Sequence, residues 1–302
     1  MRFRELGDTG EKLPCLGMGS WKFGYNAEEE VAAIREGICL GMNFIDTAEM
    51  YHSEDTVGKA INGEDVFVAT KVSPNHFNYH GVIKACESSL KNLGIKSIDL
   101  YQLHWPNPAI PITETMDAME HLVKEGKIRH IGVSNFSIEE LKEARAALKS
   151  EDIVSNQIEY SPFVREIADY LMPYCKKEKI TIIAYSPLGS GAMARLQSTN
   201  LFATLARIGG KYKKSPFQVA LSWLMSKDNV IPIPKAATVL HVRENADSIN
   251  LKLSRQDILE IDGTTDSNIK PLASKLTWFA KSNTGFFSGV MEKREKLRKH
   301  GI

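Results

Sequence analysis

Four side chains that can move or stabilise a proton follow short apolar runs in the first third of the chain. Asp46 and Tyr51 lie in the stretch MNFIDTAEMY, Lys71 ends the run VFVATK, and His104 ends SIDLYQLH. A tyrosine has an ordinary pKa of about 10, and a nearby ammonium lowers that pKa because it favours the phenolate. A carboxylate would hold such a lysine, and a neutral histidine could orient a carbonyl oxygen. The four residues therefore predict a site that protonates an oxyanion as it forms, with a separate hydride donor supplying the electrons.

The runs that carry these residues alternate with helical segments along the chain. We predict strands at 16–20, 42–46, 66–71, 97–104, 130–135, 153–160, 181–186 and 230–235. Helices are predicted at 27–40, 82–93, 113–125, after Ser137, near 167–178, from Pro216 and after the last strand. Asn26 with Glu29, and Ser137 with Glu140, have the spacing of capping boxes.

The alternation of strands and helices indicates an α/β fold with a parallel sheet and helical crossovers. Eight such units in 302 residues predict a closed (β/α)8 TIM barrel, and residues 1–302 are expected to form one domain. A short N-terminal β-hairpin is predicted at residues 2–14, and a C-terminal extension follows Gly263. An open doubly wound sheet is the alternative, but Gly17 and Gly19 supply only two of the three glycines of its phosphate-binding fingerprint.

The composition argues against nucleic-acid-binding, secreted and membrane-spanning classes of protein. Lys plus Arg number 38 and Asp plus Glu number 37, so a net charge of +1 gives no support for a nucleic-acid or anionic-membrane partner. The four cysteines are scattered, which favours free thiols in a reducing compartment. The sequence contains neither an apolar run of signal-peptide length nor one that spans a bilayer. We therefore expect a cytoplasmic protein.

Polar residues recur where the predicted strands end. Because the carboxyl ends of barrel strands meet at one face, chemistry is expected there. Besides the four residues above, this face is predicted to receive Ser134, Asn135, Asn156, Gln157, Glu159, Tyr185, Ser186 and Lys235. So many polar strand ends indicate a functional face rather than isolated buried polar groups.

Longer motifs make the sequence closely similar to the aldo-keto reductase family. Segments 41–60 (GMNFIDTAEMYHSEDTVGKA), 89–106 (SLKNLGIKSIDLYQLHWP) and 231–247 (IPIPKAATVLHVRENAD) resemble the three signatures of that family. GVSNF, NQIEY and AYSPLGSG match its internal motifs. The resemblance runs from the hairpin to Asn245. It implies a (β/α)8 barrel that binds NADPH across its C-terminal face without a Rossmann fold, and an enzyme that reduces aldehydes or ketones to alcohols.

The resemblance also implies roles for the catalytic and pocket residues. Tyr51 would be the general acid, tuned by Lys71 and Asp46, and His104 would orient the substrate carbonyl. The walls of the substrate pocket would be Trp21 and Trp105, with the segment after Gly263 contributing to its shape.

Further residues are implied to hold the cofactor. Ser134, Asn135 and Gln157 would hold the nicotinamide amide, and Tyr185 would stack on the ring. The remaining implied contacts are Ser186, Leu188 and Ser190 at the pyrophosphate, Lys235 at the 2′-phosphate, and Glu244 and Asn245 at the adenine.

The third signature departs from the family pattern beside Lys235. Ala236 stands where members often have serine, and His241 stands where they often have arginine. Two phosphate contacts are therefore weakened or replaced, with Arg243 close in sequence. The expected cofactor is NADPH, with NADH possible.

Two other functions compete with a reductase. The β subunits of potassium channels resemble this family as nucleotide-binding regulatory modules with little turnover. Such a module is expected to carry an added N-terminal segment or a large exposed apolar patch, whereas the predicted hairpin here begins almost at Met1. A metal-dependent barrel hydrolase would need converging His, Asp and Glu ligands, and no HxH pair ends the first strand, so no metal is expected.

Overall fold

The computed structural model describes residues 2–189 and 197–264. Its strands are, in chain order, β1 (Phe3–Glu5), β2 (Lys12–Pro14), β3 (Met18–Gly19), β4 (Phe44–Asp46), β5 (Phe67–Val72), β6 (Ile98–Leu103), β7 (Ile128–Ser134), β8 (Ile153–Glu159), β9 (Thr181–Tyr185) and β10 (Val230–Pro232). β1 and β2 pair antiparallel, as predicted for the N-terminal hairpin. β3 to β10 form one parallel sheet whose strand order follows the sequence.

The two ends of this sheet meet. Gly17 N donates to Pro232 O at 3.0 Å and Gly19 N donates to Pro234 O at 3.1 Å, while Gly19 and Lys235 form a parallel bridge. The first and last strands are thereby joined, which removes the open edges that a doubly wound sheet would keep. The predicted barrel is confirmed, and the open-sheet alternative is wrong.

Helices follow the strands and pack outside them. They are α1 (Ala27–Cys39), α2 (Glu54–Ile61), α3 (Tyr79–Leu93), α4 (Ile112–Lys124), α5 (Ile138–Ala147), α6 (Leu171–Lys177), α7 (Asn200–Tyr212), α8 (Pro216–Met225), α9 (Val239–Asp247) and α10 (Arg255–Gly263). The Ser137–Glu140 capping box is present. At α1 the Asn26 side chain accepts from Glu29 N, but the Glu29 carboxylate meets the Asn26 amide instead of its backbone, so only half of that box forms.

Three helices were not predicted from the sequence. α2 lacks a side-chain cap, because Ser53 bonds through its hydroxyl to Ser20 and Thr47 instead. α7 precedes α8, the helix that was predicted from Pro216. α10 begins with a capping box of Ser254 and Asp257, a signal that was readable in the sequence.

The barrel interior has an apolar lower layer and a polar upper layer. Side chains two residues apart on a strand face the same side. A strand that directs an apolar side chain into the barrel interior near its N-terminal end therefore directs a second side chain into the interior nearer its C-terminal end. Phe44, Phe67, Leu100 and Ile183 belong to a buried apolar cluster. On the same four strands, the interior-facing residues nearer the C-terminal ends are Asp46, Lys71, Gln102 and Tyr185. The alternation thus places the candidate site at the C-terminal face.

Three further expectations concern the domain organisation, the C-terminal segment and the absence of membrane-spanning helices. The single domain over residues 1–302 stays a prediction, and the C-terminal segment expected to shape the pocket lies outside the described residues. Within residues 2–189 and 197–264, no helix has the length and apolar character needed to cross a bilayer.

Gly94 offers a test of one helix end. It terminates α3 with a φ of 67°, and an added Cβ would meet nothing within 4 Å. Gly94→Ala is therefore expected to lower the free energy of unfolding by about 1 kcal/mol through backbone strain alone. The matched control Gly210→Ala, inside α7 and equally uncrowded, should raise it by about 0.5 to 1 kcal/mol. Urea denaturation would measure both, and changes of the same sign would contradict this account.

Candidate active site

A buried ion pair lies at the centre of the C-terminal face. Lys71 Nζ donates to Asp46 Oδ1 and to Thr47 O, both at 2.6 Å. The Lys71 side chain is fully buried and that of Asp46 is 2% exposed. Burial lowers the pKa of Lys71, and the Asp46 carboxylate opposes this shift. The structure therefore brings together the acid and the lysine that the sequence predicted as a pair.

The second oxygen of Asp46 accepts from two amides. Gln157 Nε2 lies 2.8 Å and Gln102 Nε2 lies 3.2 Å from Asp46 Oδ2, and Gln157 Nε2 also lies 3.3 Å from Gln102 Oε1. The sequence prediction missed Gln102, although its position two residues before His104 puts it on the same face of β6. Asn156, by contrast, turns away and bonds the backbone of Phe136.

Tyr51 reaches the ion pair from a short 3₁₀ helix, Glu49–Tyr51, that follows β4. Glu49 fastens this turn to the next loop, because its carboxylate accepts from Ser73 N at 2.8 Å and lies 2.7 Å from His76 Nδ1. Lys71 Nζ lies 4.9 Å from the centroid of the Tyr51 ring. The ammonium thus faces the ring and leaves the hydroxyl to other partners.

The pKa of Tyr51 shifts in the opposite direction from the one predicted. Burial raises it well above the ordinary value, and Asp46 and Tyr185 raise it further. Lys71 does not reverse this shift, since the Asp46 carboxylate 2.6 Å from its ammonium offsets most of the positive charge. Tyr51 is therefore protonated at neutral pH, the state that a proton donor requires.

His104 contacts the Tyr51 hydroxyl and is neutral. His104 Nε2 lies 3.4 Å from Tyr51 Oη. Burial and then the Lys71 charge hold the pKa of His104 well below its usual value. Among the described residues, His104 Nδ1 has no hydrogen-bond partner. A proton there would lack an acceptor, so we place it on Nε2, where it faces the Tyr51 oxygen.

A hydrogen-bonded chain crosses the ends of the next strands. Tyr185 donates from its hydroxyl to Asn135 Oδ1 at 3.0 Å, and Asn135 Nδ2 donates to Ser134 Oγ at 2.9 Å and to His104 O at 3.3 Å. Ser134 Oγ donates to Gln157 O at 2.9 Å. Asn135 has a φ of 64°, a left-handed conformation that asparagine tolerates. The residues predicted to hold a nicotinamide thus lie together beside His104.

Lys235 and the residues that follow it lie on the segment that leads into α9. Lys235 is exposed, with Nζ 5.5 Å from the centroid of the Phe23 ring. Arg243 Nε donates to Glu36 Oε1 at 2.8 Å, so this guanidinium is engaged on α1. Ala236 and His241 lie on the same segment. The structure also describes Ser186, Leu188, Glu244 and Asn245, whereas Ser190 lies outside the described residues.

The predicted pocket walls follow β3 and β6. Trp21 and Trp105 are both half-buried, and Lys22 Nζ lies 4.5 Å from the centroid of a Trp21 ring. The loop after Trp21 is held by Glu30, a buried carboxylate that accepts from Gly24 N and Tyr25 N. Among the described residues, no group of three His, Cys, Asp or Glu side chains could hold a metal ion.

Comparison with known proteins identifies the family. Residues 15–266 match the Aldo/keto reductase family. Methylglyoxal reductase YeaE of Escherichia coli (strain K12) is 39% identical over 259 residues, which cover 83% of this chain and 90% of that protein. Glyoxal reductase of Bacillus subtilis (strain 168) is 34% identical over 274 residues, or 89% of this chain and 95% of that one. The chain therefore belongs to the aldo-keto reductase family, a family of oxidoreductases.

Solved structures agree with this assignment. A thermostable aldo-keto reductase, Tm1743, in complex with the inhibitor epalrestat superposes with a TM-score of 0.81 and 39% identity, covering 87% of this chain and 99% of that one. An aldo-keto reductase from Klebsiella pneumoniae in complex with NADPH gives a TM-score of 0.80 and 35% identity, covering 86% and 94% of the two chains.

The neutral state of His104 predicts a pH dependence of stability. An unfolded histidine takes up a proton near pH 6.5, whereas the folded pKa of His104 is well below that value, so stability is lost as the pH falls below about 6.5. Between pH 7 and pH 5 the loss from this group is expected to reach about 2 kcal/mol. Urea denaturation at both pH values should show a shallower loss for His104→Gln. The exposed control His80→Gln should retain the wild-type loss, and an unchanged slope in His104→Gln would refute the assignment.

Proposed function

We propose that the protein is an NADPH-dependent oxidoreductase that reduces aldehydes or ketones to alcohols. The observation that carries this proposal is the approach of Tyr51 Oη to His104 Nε2 at 3.4 Å, with Lys71 over the tyrosine ring. Two donors this close can serve one acceptor oxygen. The C-terminal face therefore suits a carbonyl oxygen that gains negative charge.

The strand ends beside this pair suit an extended dinucleotide. β7, β8, β9 and β10 are neighbours in the sheet, so Asn135, Gln157, Tyr185 and Lys235 follow one another around the rim. No carboxylate of the described residues lies within 4.0 Å of Lys235 Nζ, which leaves this cation available to a phosphate. Ser134, Asn135 and Gln157 would hold the nicotinamide amide and Tyr185 would cover its ring. The proposed outer contacts are Ser186, Leu188 and Ser190 for the pyrophosphate, and Glu244 and Asn245 for the adenine.

The proposed chemistry divides hydride and proton between two sources. When bound, the reduced nicotinamide supplies a hydride to the carbonyl carbon. As the carbonyl π bond breaks, its electron pair moves to oxygen, and Tyr51 gives that oxygen its proton. His104 orients the same oxygen through its Nε2 proton. The products are an alcohol, the oxidised nicotinamide with one added positive charge, and a Tyr51 phenolate, so the atoms and charges balance.

Lys71 and Asp46 act on the phenolate that remains. The Lys71 ammonium, 4.9 Å from the ring centroid, favours the ionised ring, and Asp46 keeps the ammonium in place. Burial holds the proton on Tyr51 before reaction, and Lys71 limits the cost of releasing it. An alkoxide is more basic than a phenolate, so the transfer remains favourable although the pKa of Tyr51 is raised.

The substrate class that we propose is small aldehydes, including those with a second carbonyl. The similar proteins of Escherichia coli and Bacillus subtilis are named as methylglyoxal and glyoxal reductases. Trp21 and Trp105 would supply planar apolar walls for such carbonyls. The proximity of Asp46, Tyr51, Lys71 and His104 supports a reductase over the regulatory-module alternative.

Removing the Tyr51 hydroxyl tests the proton donor. Tyr51→Phe should lower kcat for an aldehyde by about 10² to 10⁴-fold, because the developing oxyanion loses its acid. The dissociation constant for NADPH should change little. Nicotinamide absorbance would follow turnover, and calorimetry would measure binding. Tyr170→Phe, which alters an exposed tyrosine, is the matched control. Full turnover by Tyr51→Phe would exclude the proposed role.

Replacing Lys235 tests the phosphate contact. Lys235→Met should raise KM for NADPH about tenfold or more, since a charge-assisted hydrogen bond to phosphate is lost, and should leave KM for NADH nearly unchanged. The control is Lys252→Met, another exposed lysine. If the wild type uses NADPH and NADH equally, Ala236 and His241 have removed the preference and the Lys235 assignment fails.

A further inference from the structure

A buried network of two glutamines and a carboxylate lies beneath the proposed reaction centre. Gln102 is fully buried, and Gln157 and Asp46 are 1% and 2% exposed. These residues come from β6, β8 and β4, so the network spans the barrel interior. The roles proposed above account for Asp46 and Gln157 but assign nothing to Gln102.

The carboxylate fixes which way both amides face. An ionised Asp46 can only accept hydrogen bonds, and its Oδ1 already accepts from Lys71. The atoms that approach Oδ2, at 2.8 and 3.2 Å, must therefore be the amide nitrogens of Gln157 and Gln102. A rotated amide would place two oxygens against each other at hydrogen-bond distance.

Together with Asp46, Gln102 occupies both N–H donors of the Gln157 side chain. An amide nitrogen carries two protons. Gln157 Nε2 directs one at Asp46 Oδ2, and the other reaches Gln102 Oε1 at 3.3 Å. Only the Gln157 carbonyl oxygen remains to serve a ligand. A nicotinamide carboxamide would have to donate its own N–H to that oxygen.

The neighbouring strand leaves room for this arrangement. Gly132 on β7 pairs in register with Gln102. A Cβ added at Gly132 would lie 2.9 Å from Gln102 Cγ and 2.6 Å from Ser155 Oγ. Contacts this short are not tolerated, so a side chain at Gly132 would require Gln102 and Ser155 to shift from their present positions.

We propose that Gln102 is a positioning residue for the reductase reaction. It holds Asp46 against Lys71, and it leaves Gln157 with only an acceptor for the cofactor's carboxamide. Gln102 thereby contacts both Asp46, which holds Lys71 beside the proposed proton donor Tyr51, and Gln157, which would bind the cofactor that donates the hydride. This inference rests on the function proposed above.

Two substitutions separate positioning from simple packing. Gln102→Met keeps the length of the side chain and removes both hydrogen-bonding atoms. Gln102→Glu, when protonated, restores a donor towards Asp46 and an acceptor for Gln157. A carboxyl buried beside Asp46 has its pKa raised by burial and by the like charge, while Lys71 opposes the shift. Among the other titratable groups near this layer, burial raises the pKa of Tyr51 and Tyr185 and lowers that of His104, so all three stay neutral from pH 6 to pH 8.5.

The kinetic test compares these variants across that pH range. Gln102→Met should lower kcat at least tenfold at every pH, with KM for the aldehyde changed less than threefold. Gln102→Glu should lie within threefold of the wild type at pH 6 and fall to the Gln102→Met level by pH 8.5. Ser155→Ala, which truncates a buried hydroxyl without a partner among the described residues, should match the wild type. Wild-type kcat in Gln102→Met, or a Gln102→Glu rate that does not vary with pH relative to the wild type, would overturn the proposal.

A binding test reads the orientation of Gln157 without turnover. Calorimetry would compare NADP⁺ with nicotinic acid adenine dinucleotide phosphate, whose carboxylate cannot donate a hydrogen bond. The wild type should prefer NADP⁺ at least tenfold, and Gln102→Met should reduce this preference at least threefold, because the Gln157 N–H that Gln102 Oε1 accepts is then free to donate to a ligand carboxylate. An equal preference in both proteins would overturn the proposed role of Gln102 in occupying that donor. If the wild type binds NADP⁺ but reduces no aldehyde, the proposed function fails while this binding result still decides the role of Gln102.

Discussion

The buried contact between Lys71 and Asp46 is the interaction on which the proposed site depends. Removing two charges from water costs several kcal/mol for each ion, so such a pair persists only where further hydrogen bonds satisfy both groups. The structure supplies them: Thr47 O accepts from Lys71, and the amides of Gln102 and Gln157 donate to Asp46. Loss of either partner would leave an uncompensated charge inside the barrel, and loss of Lys71 would also remove the cation beside the Tyr51 ring.

The curvature of the closed barrel completes the hydrogen bonding of this pair. Asp46 and Gln157 are 111 residues apart in sequence, yet their side-chain atoms lie 2.8 Å apart because β4 and β8 contribute to the same interior layer. Strand alternation fills the lower layer with apolar side chains such as Phe44 and Phe67. The polar layer therefore rests on a packed floor and opens only towards the C-terminal face, where the loops carry Tyr51 and the tryptophans.

Burial, more than charge pairing, sets the protonation states at this face. It keeps the proton on Tyr51 and off His104, so both enter a reaction as neutral hydrogen-bond donors. The ammonium of Lys71 does not reverse this effect, because the Asp46 carboxylate 2.6 Å away offsets most of its charge. It still limits the energy needed to form a phenolate when Tyr51 releases its proton.

The sequence alone determined the barrel and most helices, and it singled out Asp46, Tyr51, Lys71 and His104, which the fold brings together. These features rest on local patterns: apolar runs, capping residues such as Ser137, and polar residues at strand ends. It did not reveal α2, because this helix has no side-chain cap: the Ser53 hydroxyl bonds to residues elsewhere in the fold. It also did not reveal the ion pair between Arg243 and Glu36. Only the tertiary structure decided the protonation state of Tyr51 and the place of Gln102. Desolvation and hydrogen-bond partners arise when distant strands meet, and no local pattern encodes them.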